Sequence, residues 1–266
     1  MKMKALHSFE TLGTTCPKTQ SLIPECECPM EILLKFFHHI QILILPVHIL
    51  SPEEASHIYM VSLFLERGEI RSGDYTVYYS GDEWAERGVA ILVHKSIVRS
   101  VVKKIACNDR IIVIKLKAEP VNILLMQVYM PTSQYEDDEV EKLYDTIEEI
   151  LEEDGSDTNS IILGDWNNVV GEESYKNTVG SHGLGRRNHR GQMLIDFCER
   201  NGLIVTNTWF KKPKRRLYTW KAPGDWSLHQ LDYILVKHRF RNSVKDVQTL
   251  PGTDIDSDHN LLVAKF

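Results

Sequence analysis

The chain has 266 residues, 42% of them hydrophobic, and a net charge of −6. Those values are ordinary for a soluble globular protein and give enough chain for one large domain or two small ones. The five cysteines (Cys16, Cys26, Cys28, Cys107 and Cys198) are odd in number and lack framework spacing. They argue against a secreted disulfide scaffold and favour reduced thiols in an intracellular compartment, with a nuclear location in keeping.

Residues 1–70 carry poor strand periodicity, and Cys26-Glu27-Cys28 is too cramped for a zinc knuckle. The run ILLKFFHHIQILILPVHIL (Ile32–Leu50) contains Lys35, Pro46, Gln41 and three histidines. These penalise membrane insertion, so no membrane role is expected. This segment reads as atypical and distinct from a domain spanning 71–266.

From Asp74 the rhythm becomes regular. YTVYYS alternates as a strand, and RGVAILVHK, RIIVIKLK and NILLMQVYM are apolar runs with short polar breaks. Val140, Leu143, Ile147 and Leu151 then recur at helical spacing beneath an acidic face. SIILGDWN is a short buried strand, RGQMLIDFCERNG a second helix stopped by Asn201-Gly202, and LIVTNTWF, LYTWKAP, HQLDYILVK and DHNLLVAKF four more strands. Strand groups with helices between them predict an α/β sandwich, two sheets face to face with helices outside.

Several strands end in chemistry. Tyr129 closes one run, Asp165 and Asn167 another, Asp232 opens a strand, and Asp258-His259 precedes the last. Singly, each has a plain structural reading: a half-buried sheet tyrosine, an Asx turn, a strand cap, a polar turn set by Ser257. Together they suit phosphodiester hydrolysis with a divalent cation held by carboxylates. His259 would be the general base, oriented by Asp232. Asp165 and Asn167 would align water or stabilise developing charge, with the Tyr129 hydroxyl donating to phosphate.

Charge is segregated along the chain. Acids dominate residues 131–180, whereas 181–245 are basic in GLGRRNHRG, FKKPKRRLYTWK and VKHRFRNSVK. Lys211, Lys212, Lys214, Arg215 and Arg216 adjoin Tyr218 and Trp220, with Trp226 beyond, a mixture suited to phosphate contact and base stacking. Arg186, Arg187 and Arg190 extend that surface, and Arg110 lies near it. DNA is the expected partner.

The ordered set VYMPT, LGDWN, LDYILV and SDHNLL resembles the endonuclease/exonuclease/phosphatase superfamily, which includes abasic-site nucleases and the endonuclease domains of non-LTR retrotransposons. GLGRRNHRGQMLIDFCERNGLIVTNTWFKKPKRRLYTWKAPGD resembles the retrotransposon branch in particular. The resemblance covers about Gly68 to Phe266 and implies a four-layered α/β sandwich and Mg2+- or Mn2+-dependent DNA cleavage. It implies Asp258 at the metal and phosphate site and His229 as a DNA contact. The family's opening strands, one with an asparagine in a WN setting and one ending in a metal-binding glutamate, have no counterpart before Asp74. Glu66 and Glu69 do not stand at that strand end. The first strands are therefore expected to be replaced or missing, with sheet edges exposed and catalysis impaired. The rival reading is an inactive remnant that binds DNA or a chromatin protein. A phosphatase or lipid phosphodiesterase ranks last.

Overall fold

The computed structural model describes residues 67–81, 87–155, 157–222, 224, 227–251 and 258–266 in full, and 43–47 and 56–62 as strand backbone. Cys16, Cys26, Cys28, Glu66, Trp226 and Ser257 lie outside the described residues.

Two large sheets form the molecule. One runs in the order β14 (Asp246–Leu250), β15 (Leu261–Lys265), β1 (Leu43–Val47), β2 (Ser56–Ser62), β5 (Gly88–His94), β4 (Tyr75–Gly81) and β3 (Arg67–Ser72). The other runs β10 (Leu203–Val205), β13 (Asp232–Lys237), β9 (Asn159–Asp165), β8 (Ile123–Tyr129), β7 (Ile111–Leu116) and β6 (Val101–Ala106). A short ribbon, β11 (Trp220–Lys221) with β12 (Leu228–His229), stands apart.

Strand alternation builds two cores. Ile112, Ile114, Leu125, Leu163 and Ile234 face Ile91, Val93, Leu262 and Ala264 of the opposite sheet. The alternate residues Ile111, Val113, Met126, Ile162 and Tyr233 meet helices α1 (Asp137–Asp154) and α2 (His189–Arg200) through Leu143, Ile147, Leu194 and Phe197. Each such fully buried aliphatic side chain contributes about 2 kcal/mol by leaving water. Asp137, Asp138 and Glu139 complement the positive end of α1. Asn188 caps α2 by accepting from the Gly191 amide at 2.7 Å. Among the described residues, Cys107 and Cys198 are free thiols, the latter buried in α2. No helix among them is long and apolar enough to cross a membrane.

The α/β sandwich expected from the sequence is present. Where the first strands were expected to be replaced or missing, the sheet holds β1 and β2. β1 pairs with β15 in parallel and with β2 in antiparallel register, and β2 pairs with β5. No edge is left open at that point of the sheet, and the division drawn after residue 70 falls inside β3. Two further expectations shrink. LIVTNTWF is a strand only over Leu203–Val205, because the Asn207 side chain takes over the ladder: its Nδ2 donates to the Asp232 carbonyl and its Oδ1 accepts from the Ile234 amide, both at 3.0 Å. LYTWKAP contributes only Trp220–Lys221.

Gly164 allows β8 and β9 to sit at the spacing the site needs. A Cβ there would lie 1.8 Å from the Val128 carbonyl oxygen, which is backbone and cannot yield. Gly164→Ala is expected to destabilise the fold by about 1–3 kcal/mol, read from urea denaturation midpoints.

Candidate active site

Tyr129 stands opposite Asp165 across the parallel β8–β9 pair, and Asp165 stands opposite Asp232 across the antiparallel β9–β13 pair. The three occupy one row across neighbouring strands, so their side chains leave the same face of the sheet. His259 arrives from the other sheet, two residues before β15, and its Nδ1 lies 3.0 Å from Asp232 Oδ2. The site therefore sits where one end of the two sheets meets.

Both members of that pair are nearly buried, with side chains 13% and 9% exposed. Burial opposes a charged imidazole. The charge and hydrogen bond of Asp232, with the charges of Asp165 and Asp258, outweigh it and raise the ring to about 9. With the proton on Nδ1 facing Asp232, the neutral ring presents its lone pair at Nε2.

Trp166 anchors the next part. Its indole is buried in the helix-side core, where Nε1 donates to the Tyr233 carbonyl at 3.1 Å. Asp165 before it faces the opposite way. Asn167 joins Asp165 by a turn: β9 ends at Asp165, and Asn167 folds back with φ 48°. Its amide donates to Asp165 Oδ1 at 2.9 Å, and its Nδ2 donates to Asp165 Oδ2 at 3.0 Å and the Met130 carbonyl at 2.8 Å. Asparagine tolerates that left-handed conformation better than other side chains.

Tyr129 packs beside Arg110, whose guanidinium lies 5.3 Å from the Tyr129 ring and 5.2 Å from that of Tyr135. Arg110 Nη1 also donates to the Tyr129 carbonyl at 3.1 Å. Burial raises the phenol's pKa, Asp165 reinforces that, and Arg110 opposes it. The hydroxyl is thus held as a proton donor.

Asp258 is fixed by a residue that sequence patterning placed in the DNA surface. Trp220 Nε1 donates to Asp258 Oδ2 at 2.8 Å. Trp220 also packs its ring 5.6 Å from His229, its cross-strand partner. Among the described residues, no group of three or more His, Cys, Asp or Glu side chains forms a metal cage. What the rim offers is the hard carboxylate oxygens of Asp258 and Asp165. Such a set suits Mg2+, which uses one or two carboxylates and fills its shell with water and phosphate. Glu69 is remote from it, on the edge strand β3 and ion-paired with Lys104.

The basic residues divide into two groups. Arg186, Lys211, Lys214 and Arg215 are exposed. Arg187 donates to the Val170 and Glu173 carbonyls at 3.0 and 2.7 Å. Arg190 clasps the Pro131 and Thr132 carbonyls at 3.1 and 2.6 Å and pairs with Asp137 at 3.0 Å. Lys212 pairs with Asp246 at 2.6 Å, and Arg216 donates to Gln248 at 2.8 Å. These four guanidinium and ammonium groups bind the chain to itself. A cavity of about 310 Å3, lined by Ile123, Asn159 and Phe266 among others, opens at the other end of β8 and β9 and holds none of the site residues.

Asn207 and Thr219 carry no motif, yet both brace Asp232: Asn207 holds its carbonyl, and Thr219 Oγ1 accepts from the Leu231 and Asp232 amides at 2.9 and 3.1 Å. A polar residue next to a strand was their only signal.

Comparison with known proteins identifies the family and the fold. The Endonuclease/Exonuclease/phosphatase family model matches residues 38–259. Craniofacial development protein 2 of Bos taurus is 40% identical over 200 residues, 75% of this chain and 34% of that protein. The Tragulus javanicus protein of that name is 40% identical over 75% of this chain and 35% of its own length. The chain thus spans about a third of the length of these curated relatives. Among solved structures, the fold is shared with the endonuclease domain of TRAS1, a telomere-specific non-LTR retrotransposon, at TM-score 0.54 and 16% identity over 73% of this chain and 79% of that one. The AP endonuclease LMAP of Leishmania major aligns at TM-score 0.56 and 14% identity, covering 72% and 70%. The chain belongs to the endonuclease/exonuclease/phosphatase family.

Proposed function

We propose that this chain hydrolyses phosphodiester bonds in DNA as an endonuclease of retrotransposon type. The observation that carries the reading is the buried His259–Asp232 pair at one end of the Tyr129–Asp165–Asp232 row. His259 Nε2 takes a proton from water as the water oxygen bonds to phosphorus. The opposite P–O ester bond breaks, and the departing oxygen gains a proton, giving a hydroxyl and a phosphate monoester. Asp165 and Asn167, locked together, orient the water or the leaving oxygen. The Tyr129 hydroxyl donates to a phosphate oxygen as negative charge builds there. A divalent cation, Mg2+ or Mn2+, would be held by Asp258 and would neutralise phosphate charge.

Exposed Arg186, Lys211, Lys214 and Arg215 are the residues we assign to the DNA backbone, with His229 beside Trp220 at the site's edge. Replacing Lys211, Lys214 and Arg215 together with alanine should lower the slope of log affinity against log salt by about 2–3. Arg216→Ala should leave that slope unchanged, because its guanidinium is engaged with Gln248. Fluorescence anisotropy across a salt series reads both. A DNA substrate also suggests a nuclear location.

A second reading, a family member that binds DNA or a chromatin protein without cutting, is favoured by the position of Glu69, which is engaged with Lys104 on the edge strand β3 and is not among the carboxylates of the rim. Nicking of supercoiled plasmid with Mg2+ or Mn2+, against an EDTA control, separates them. Metal-dependent nicking supports the hydrolase. Salt-sensitive binding with no nicking supports the binder.

A further inference from the structure

Resting on the hydrolase reading, we infer that Trp220 is a positioning residue for Asp258, and that the segment Tyr218–Trp220 is a strap setting both halves of the site against each other. Residues 258–260 are stitched to this strap at three points and to Lys221, just beyond it, at a fourth. The Lys221 amide donates to the Asp258 carbonyl at 3.2 Å, and the Asn260 amide donates to the Thr219 carbonyl at 2.7 Å. Asn260 Nδ2 donates to the Tyr218 carbonyl at 3.2 Å, and the Trp220 indole donates to the Asp258 carboxylate at 2.8 Å. The backbone bridge between Trp220 and His259 puts the catalytic histidine in the same register.

The strap reaches the other sheet as well. Thr219 Oγ1 accepts the amide of Asp232, the partner of His259. One three-residue segment thus holds the backbone of Asp232 and the side chain of Asp258, which come from different sheets.

An indole suits this task chemically. It is a neutral group that donates one hydrogen bond and accepts none. It fixes the direction of the carboxylate while leaving its negative charge in place. A lysine or arginine at position 220 would form an ion pair and cancel the charge that an incoming cation requires. The ring also lies 5.6 Å from the His229 ring and 6.5 Å from the His259 ring.

The test separates orientation from DNA stacking. In protein labelled with 15N at tryptophan, Trp220→Phe identifies the Trp220 indole resonance by its loss. Asp258→Ala should then move that resonance upfield in the metal-free protein. Trp220→Phe keeps an aromatic ring but removes the donor. It should lower the kcat for plasmid nicking roughly tenfold to a hundredfold, the cost of a misaligned group, with DNA affinity unchanged. An indole resonance indifferent to Asp258→Ala overturns the inference. So does an unchanged kcat with weakened DNA binding, which would make Trp220 a stacking platform. If wild-type protein does not nick, the hydrolase reading fails, while the indole resonance still decides whether the tether exists.

Discussion

His259→Ala is expected to lower plasmid nicking by about 10²–10⁴-fold, the range that a positioned general base contributes, while leaving DNA binding intact. Buried Asp232 engages Nδ1 at 3.0 Å, so that nitrogen is occupied. Proton transfer is left to Nε2. In the metal-free protein the surrounding carboxylates hold the ring protonated at neutral pH, with its pKa near 9. Nicking should therefore rise with pH on the acid side, because only the neutral ring accepts a proton, and positive charge at Asp258 would shift that limb to lower pH. His259→Ala should remove the limb along with the rate. Single-turnover nicking from pH 6 to 9, wild type beside variant, measures both. A variant that nicks at the wild-type rate would remove His259 from the chemistry.

The site's residues were legible in the sequence because each ends or begins a strongly apolar strand. Asp165 after IILG, Asp232 before YILV and Tyr129 after LLMQV need no tertiary information to be picked out. Their convergence follows from register, which places Tyr129, Asp165 and Asp232 in one row. β6 and β14 were not legible: β6 is largely exposed, and β14 alternates over only five residues between polar neighbours. β1 lies inside the apolar run Ile32–Leu50, where Pro46, lacking an amide hydrogen, and the interspersed histidines obscure a strand's alternation. Charge alone did not separate exposed basic side chains from internally engaged ones. Arg190 and Arg215 look alike in a basic stretch, yet one is claimed by carbonyls from the Pro131–Tyr135 loop and the other is exposed. The partners that decide the matter lie more than fifty residues away in the chain. The same holds for Trp220, whose role depends on an aspartate 38 residues downstream.

The His259–Asp232 pair should also make the metal-free fold lose stability in alkaline solution. Folding raises the ring from its ordinary 6.5 to about 9, so between those pH values the folded state binds more protons than the unfolded state. Unfolding free energy must then fall as pH rises. The contribution is fully present below pH 6.5 and is lost as pH passes through 9. At about 1.4 kcal/mol per tenfold it amounts to about 3 kcal/mol. Urea denaturation in EDTA at pH 6, 7.5 and 9 should show that decline in the wild type. Asp232→Asn removes the main charge supporting the imidazolium and leaves burial opposing it, so the variant starts less stable at pH 6 and loses little more by pH 9. Parallel declines in the two proteins would mean that another group, and not this pair, binds the proton. They would also weaken the proposed part of Asp232 in orienting the ring, since the shift in pKa and the orientation are argued from the same 3.0 Å contact.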